Sequence, residues 1–150
     1  MHDYFQNQPT KFEKMACEIV RILDKNVISF EITRRSKDGG RDAIGTYQVG
    51  AGHTPVQLTF ALEAKCYALN NGVGVKELSR LISRIKHREF GFFVTTSYIG
   101  TQAYKECIVE DEHPIAIITA IDIISALKTE DITTIDRLNK WLRYNFPLTN

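Results

Sequence analysis

Two acids and a lysine are the residues of this sequence best suited to chemistry: Asp42, and the pair Glu63 and Lys65 in Glu63-Ala64-Lys65. Twenty residues separate the two acids, a spacing that adjacent paired strands could close. Carboxylates brought side by side repel each other when ionised, so they need a shared proton or a divalent cation between them. Mg²⁺, octahedral and partial to hard oxygen ligands, suits such a pair. Residues two apart on a strand share a face, which stands Lys65 close beside Glu63. A lysine there can orient an attacking water or steady a phosphate that gathers negative charge. A metal would lower the pKa of its bound water and hold it in line with the leaving oxygen. Acid, acid and lysine thus read as a phosphodiester-hydrolysis set. The competing reading makes Glu63 and Lys65 a surface ladder on the open face of an antiparallel sheet.

The elements that must position these residues follow from periodicity. Phe12, Met15, Ala16, Ile19, Val20 and Leu23 recur at helical spacing. Thr10 and Glu13 stand in the relation of a capping box at that helix's start. Residues 1–9 are polar and, with 147–150, are read as flexible ends. A strand over Val27–Thr33, a polar turn from Ser36 to Arg41 and a strand over Asp42–Val49 predict a hairpin. Asp38, followed by Gly39 and Gly40, reads as a turn former. After a loop from Gly50 to Pro55, a strand over Gln57–Cys66 puts Leu58, Phe60, Leu62 and Ala64 on one face. Ala61, Glu63 and Lys65 fall on the other. Beyond a turn at Asn70–Gly74 the pattern predicts a helix to about Arg88, a strand over Phe92–Thr96 and a helix over Thr101–Val109. A strand over Ile115–Thr119 and one or two helical turns over Ile121–Leu127 follow. A last amphipathic helix carries Ile135, Leu138, Trp141 and Leu142. It is expected to pack on the domain's own core, with pairing to a second copy as the alternative. The order fits one α/β domain over 1–150, antiparallel at its start and parallel at its end.

Composition bounds the rest. At 150 residues, 43% of them hydrophobic and 25% charged, the chain can bury a core without a disulfide or metal staple. A formal net charge of +1 excludes a global field that draws the protein to nucleic acid or acidic lipid. Any electrostatic attraction must be local, and one basic stripe stands out. Lys76, Arg80, Arg84 and Arg88 recur at successive fours, opposite Leu78, Ile82 and Ile85. Such a stripe is a candidate for DNA phosphate contacts, which would bind in a salt-dependent way without reading sequence; the alternative is a solvated helix face. Gly72-Val73-Gly74 is better explained as a turn than as a phosphate loop. Cys17, Cys66 and Cys107 are far apart and outside any paired pattern, which points to reduced thiols and a cytoplasmic location. His2, His53, His87 and His113 lack metal-ligand spacing and read as solvated. No run is long enough for a membrane span.

Three ordered blocks carry a family resemblance. Gly39-Gly40-Arg41-Asp42, Glu63-Ala64-Lys65 and Phe93-Val94-Thr95-Thr96-Ser97 resemble, in order, those of the Mrr-like branch of the PD-(D/E)xK restriction endonuclease superfamily. The spacing of Asp42, Glu63 and Lys65 also resembles that in cleavage domains of MspJI-type modification-dependent restriction enzymes. The resemblance implies a restriction-endonuclease-like core, a mixed central sheet flanked by helices. By the same resemblance Asp42 and Glu63 are metal-binding acids, Lys65 is the catalytic lysine and the Ala64 carbonyl is a further ligand. Glu13, in Phe12-Glu13, matches the block that supplies a third carboxylate, in rivalry with its capping reading. Arg41 replaces the proline of the superfamily's name. The implied cofactor is Mg²⁺, with Mn²⁺ as a substitute, and the implied partner is DNA. Cutting both strands takes two active sites, which suggests a homodimer or higher assembly. No segment reads as a separate sequence-reading domain, so specificity would come from loops, a partner chain or a further domain. The rival functions are a non-catalytic nucleic-acid-binding or assembly module that keeps the fold, and a junction-resolving or repair nuclease.

Overall fold

The computed structural model describes residues 1–32, 43–50 and 53–148. Asp38, Arg41 and Asp42, with the predicted turn between the first two strands, lie outside the described residues. Among these residues five strands form one sheet in sequence order: β1 (Val27–Ile32), β2 (Ala43–Val49), β3 (Val56–Lys65), β4 (Phe90–Thr95) and β5 (Ile115–Ile118). The first three pair antiparallel, and β3, β4 and β5 pair parallel. This is the mixed, helix-flanked sheet expected from the sequence.

Among the described residues six α-helices cover the sheet: α1 (His2–Phe5), α2 (Pro9–Leu23), α3 (Val75–Arg84), α4 (Thr101–Tyr104), α5 (Ala120–Thr129) and α6 (Ile135–Asn145). The two parallel connections each advance by one strand in the same direction, so their right-handed crossovers put α3 and α4 on one face. The alternation of β3 and β4 divides the core accordingly. Phe60, Leu62, Phe92 and Val94 join Phe12, Met15, Ile19 and Val20 of α2 and Ile123 and Leu127 of α5 in one layer. Ala61 and Phe93 point the other way, against Leu78 and Leu81 of α3 and Ala103 of α4.

Two glycines permit close approach. A Cβ at Gly91 on β4 would stand 3.0 Å from Ile85 and 3.2 Å from Leu81, so its absence lets α3 settle low on the sheet. A Cβ at Gly45 on β2 would collide with the Phe60 ring and the Ser29 carbonyl oxygen. Phe60 uses that space to meet Phe30, Phe90 and Phe92 with ring centroids 5.4, 5.4 and 5.0 Å away. Gly45→Ala should therefore destabilise the protein by about 1–3 kcal/mol, the scale of overpacking a filled core. An unchanged urea midpoint would show that the sheet yields there.

Several boundaries differ from expectation. The Thr10–Glu13 capping box does not form: α2 begins at Pro9 with Gln8 as its N-cap residue, because proline's fixed φ favours the first helical position. Glu13 then lies a turn inside the helix, buried on its inner side. Residues 1–9, expected as a flexible end, carry α1; Phe5 is buried against Phe12 and Phe146, and the Tyr4 hydroxyl donates to the Phe146 carbonyl at 3.0 Å. The helix expected to reach Arg88 ends at Arg84 and tightens into a 3₁₀ turn over Ile85–His87. Arg88 is extended and leaves the stripe. β4 starts two residues earlier than predicted, and α4 continues as a π-helical segment, Lys105–Glu110. α5 is longer than one or two turns, its start fixed by Asp122, which accepts from the Thr119 N–H at 2.8 Å and hydroxyl at 2.9 Å. α6 packs on the domain's own core through Leu142, with Trp141 against Phe146, as expected.

All three cysteines are free, and burial pushes the Cys17 thiol up to about 12, with the neighbouring Glu13 carboxylate acting in the same direction. None of the four histidines is buried. No helix among the described residues is long and apolar enough to cross a membrane.

Candidate active site

The site is built at the C-terminal end of β3. β2 pairs with β3 from Val49↔Val56 to Ala43↔Leu62, and β3 continues to Lys65 against β4 alone among the described residues. Ala43 is the first described residue after Asp42, and Leu62 is the last before Glu63. The two predicted acids are thus each one chain step from a paired position, although Asp42 itself lies outside the described residues.

Glu63 is not part of an exposed ladder. It is 2% exposed, on the face of the sheet that α3 covers. A buried carboxylate is costly unless paired, and three cations converge on this one. Lys65 Nζ lies 2.9 Å from Oε1, Arg80 Nε lies 3.9 Å from Oε1, and Arg84 donates to Oε2. Lys65 reaches it because residues two apart on a strand share a face. Arg80 and Arg84 reach it because side chains four apart on a helix stand one above the other. All three cations remain partly open to solvent, at 22%, 38% and 23% of their side-chain surface, whereas the Glu63 side chain is 3% exposed. An anion arriving from solvent would meet the cations first.

A second arrangement ties α3 to the end of β3. Glu77 accepts from the Gly74 N–H at 3.0 Å, satisfying an orphan donor at the start of α3, and its other oxygen accepts from the Tyr67 hydroxyl at 3.2 Å. Partial burial, followed by the Glu77 carboxylate, pushes the Tyr67 hydroxyl above its ordinary value, with Glu63 adding to the effect. The main chain beyond β3 is pinned to β4's exit: the Thr96 N–H donates to the Lys65 carbonyl at 3.3 Å and the Thr96 hydroxyl to the Tyr67 carbonyl at 2.7 Å. The end of β3 and the arginine-bearing helix are therefore held to each other by a polar strut rather than by apolar packing alone.

The structure brings together Glu63, Lys65, Arg80 and Arg84. Lys76 stands exposed, one turn up α3, and with Arg80, Ser83 and Arg84 lines a shallow groove open to solvent. Arg88 is apart from them. It lines a separate cleft with Ser29, Thr46, Thr59 and His87, because the chain leaves helical geometry after Arg84. Glu13 belongs to α2, which packs against the sheet face opposite α3. Among the described residues, no three His, Cys, Asp or Glu side chains form a cluster able to hold a metal ion.

Sequence reasoning missed the strut between Tyr67 and Glu77 and the pairing of the two arginines with the acid. Two signals were available: the alternation 63, 65 along the strand with 67 just past its end, and 77, 80, 84 along one side of the helix. Neither says that the two sets meet, which depends on the sheet–helix crossing.

Residues 5–127 match the Mrr_cat family model, described as restriction endonuclease. Among solved structures the chain is similar to the DNA modification-dependent restriction endonuclease AspBHI, with 44% identity and a TM-score of 0.89 over 96% of this chain. It is also similar in fold to the MspJI restriction endonuclease in complex with a 27-mer oligonucleotide, at 18% identity and a TM-score of 0.78 over 98% of this chain. The chain spans 37% of the first of these proteins and 34% of the second. No match is found among curated proteins.

Proposed function

Because this chain belongs to the restriction endonuclease family whose model spans residues 5–127, we propose that it is the cleavage unit of a metal-dependent DNA endonuclease. The observation that carries this reading is Glu63: a carboxylate buried near the C-terminal end of β3, with Lys65 on the same face 2.9 Å away. A structural ion pair needs one cation; this acid has three, two of them on a helix that opens to solvent.

The donor set assigned below is all hard oxygen, the chemistry a divalent cation such as Mg²⁺ prefers. Glu63 offers hard oxygens, and its charge is already compensated by cations that a metal could replace in part. We assign the ligands as Asp42, Glu63 and the Ala64 carbonyl, and Mg²⁺ as the metal, for which Mn²⁺ can substitute; Glu13, in the opposite layer, would have to reach past the end of β3 to add a further carboxylate. When bound, the metal would activate a water and neutralise charge on the phosphate. Lys65 would stand over the scissile phosphate and donate to the oxygen on which charge develops. Arg80, Arg84 and Lys76 would track neighbouring phosphates along the groove, positioning the duplex without reading its bases. The cleft at Arg88 would serve a phosphate farther from the point of cutting. Two such units, as a homodimer or higher assembly, would be needed to cut both strands, and recognition would rest on a further domain or chain. AspBHI is a modification-dependent enzyme, and modified DNA is the substrate class to test first.

The test is cleavage of methylated, unmethylated and branched DNA with Mg²⁺ or EDTA, comparing the wild-type chain with Asp42→Ala. Cutting that requires Mg²⁺ and falls at least ~10²-fold in the variant supports the reading. A folded protein that binds DNA but cuts none of these substrates would instead identify a binding module, and preference for branched DNA would identify a resolvase.

A further inference from the structure

Both oxygens of Glu63 are engaged by cations: Lys65 and Arg80 on Oε1, Arg84 on Oε2. Among the described residues, a divalent cation arriving at this carboxylate meets Lys65, Arg80 and Arg84 and must displace some of their charge. The three cations do not weigh equally on the acid, and only one of them both holds an oxygen directly and reaches the groove. Lys65 is fixed by the register of its own strand, two residues from the acid and on the same face. Arg80 makes the long contact, at 3.9 Å. Arg84 holds Oε2 directly from the last turn of α3, at the end of a long flexible side chain, and it also lines the solvent-open groove with Lys76, Arg80 and Ser83. It therefore has a second place to go, a place where a DNA phosphate would receive it as a fork-shaped donor.

We propose that Arg84 is an exchange cation. It neutralises Glu63 while the protein is free of metal and DNA, and it transfers to a backbone phosphate when a metal takes its place. This rests on the reading of Glu63 as a metal ligand. Two consequences follow. In the DNA-free protein Arg84 opposes metal binding. With DNA present the same residue links the two ligands, since a phosphate that draws Arg84 away frees Glu63 and a metal that expels Arg84 frees a phosphate donor. Linkage requires this coupling to be reciprocal.

The experiment is titration of the DNA-free protein with Mn²⁺, reading free hexaaqua Mn²⁺ by electron paramagnetic resonance, for wild type, Arg84→Gln, Arg84→Lys, Glu63→Gln and the double variant Arg84→Gln/Glu63→Gln. Circular dichroism confirms that each is folded; Arg84→Gln leaves Glu63 with Lys65 and Arg80. Arg84→Gln should bind Mn²⁺ at least about tenfold more tightly, the size by which one adjacent charge shifts a neighbour's affinity for a cation. The gain should be lost in the double variant, and Arg84→Lys, which keeps a cation there, should stay close to wild type. In a parallel binding assay, the increase in DNA affinity that non-cleaving Ca²⁺ produces over EDTA should shrink in Arg84→Gln. Equal or weaker Mn²⁺ binding by Arg84→Gln, with Glu63→Gln still abolishing it, overturns the exchange and leaves Glu63 a ligand. Mn²⁺ binding indifferent to Glu63→Gln overturns the functional reading itself, and the exchange with it. No measurable binding by either wild type or Arg84→Gln overturns the exchange as well.

Discussion

Glu63→Gln should leave a folded protein that cuts DNA at least ~10²-fold more slowly than wild type, the cost of losing one electrostatic element of a catalytic centre. The amide keeps the carboxylate's shape in a pocket where Glu63 is 2% exposed, so packing is preserved. Removing one partner of a buried pair usually costs several kcal/mol because the other charge is stranded. Here the stranded groups are Lys65, Arg80 and Arg84, each with 22–38% of its side chain already in solvent, and they can turn to water. A loss nearer ~1–3 kcal/mol, the scale of an unsatisfied hydrogen-bonding group, is expected in a thermal melt. The same change has an opposite effect on binding. Three cations released from an internal counter-charge face the groove, so DNA affinity in EDTA should rise and its dependence on salt should steepen. A variant that cuts at the wild-type rate would remove Glu63 from the chemistry. A variant that is dead but also fails to bind DNA would show that the acid serves the local fold rather than the reaction.

Lys65→Met carries the second large effect. The thioether stem fills the same space, and Glu63 keeps Arg84 and Arg80 as partners, so stability should change little. Cleavage should nevertheless fall about 10²–10³-fold under saturating DNA, because the ammonium acts on charge that develops only in the transition state. DNA binding should stay within a few-fold, since Lys76, Arg80 and Arg84 still line the groove. That split between turnover and binding separates a catalytic lysine from one that only contacts the backbone. If affinity fell as far as turnover did, Lys65 would be a phosphate contact like those on α3.

Much of the architecture was legible because it is local. The alternation of Leu58, Phe60, Leu62 and Ala64 with Ala61, Glu63 and Lys65 is a strand's period, and the structure puts Phe60, Leu62 and Ala64 in one layer and Ala61 and Glu63 on the other face. The strands and helices from Gly74 onward fell near their predicted places for the same reason. The errors also have physical causes. Pro9 could open a helix from the first position, which moved the start of α2 and dissolved the capping reading of Glu13. The stripe from Lys76 to Arg88 assumed an unbroken helix, and the 3₁₀ turn over Ile85–His87 sent Arg88 elsewhere.

By itself the sequence determined which residues share a face: Glu63 with Lys65 on one strand, Arg80 with Arg84 on one helix. These are consequences of backbone period, and they hold wherever the elements are put. Only the tertiary structure decided that the helix would lie over the strand's end, close enough for both arginines to reach one carboxylate. That closeness comes from packing between layers, with Gly91 admitting Leu81 and Ile85 to the sheet and Glu77 fastening Gly74 to Tyr67. Whether a basic face points to water or to a buried acid is set by such contacts between distant segments, which no periodicity within a segment encodes.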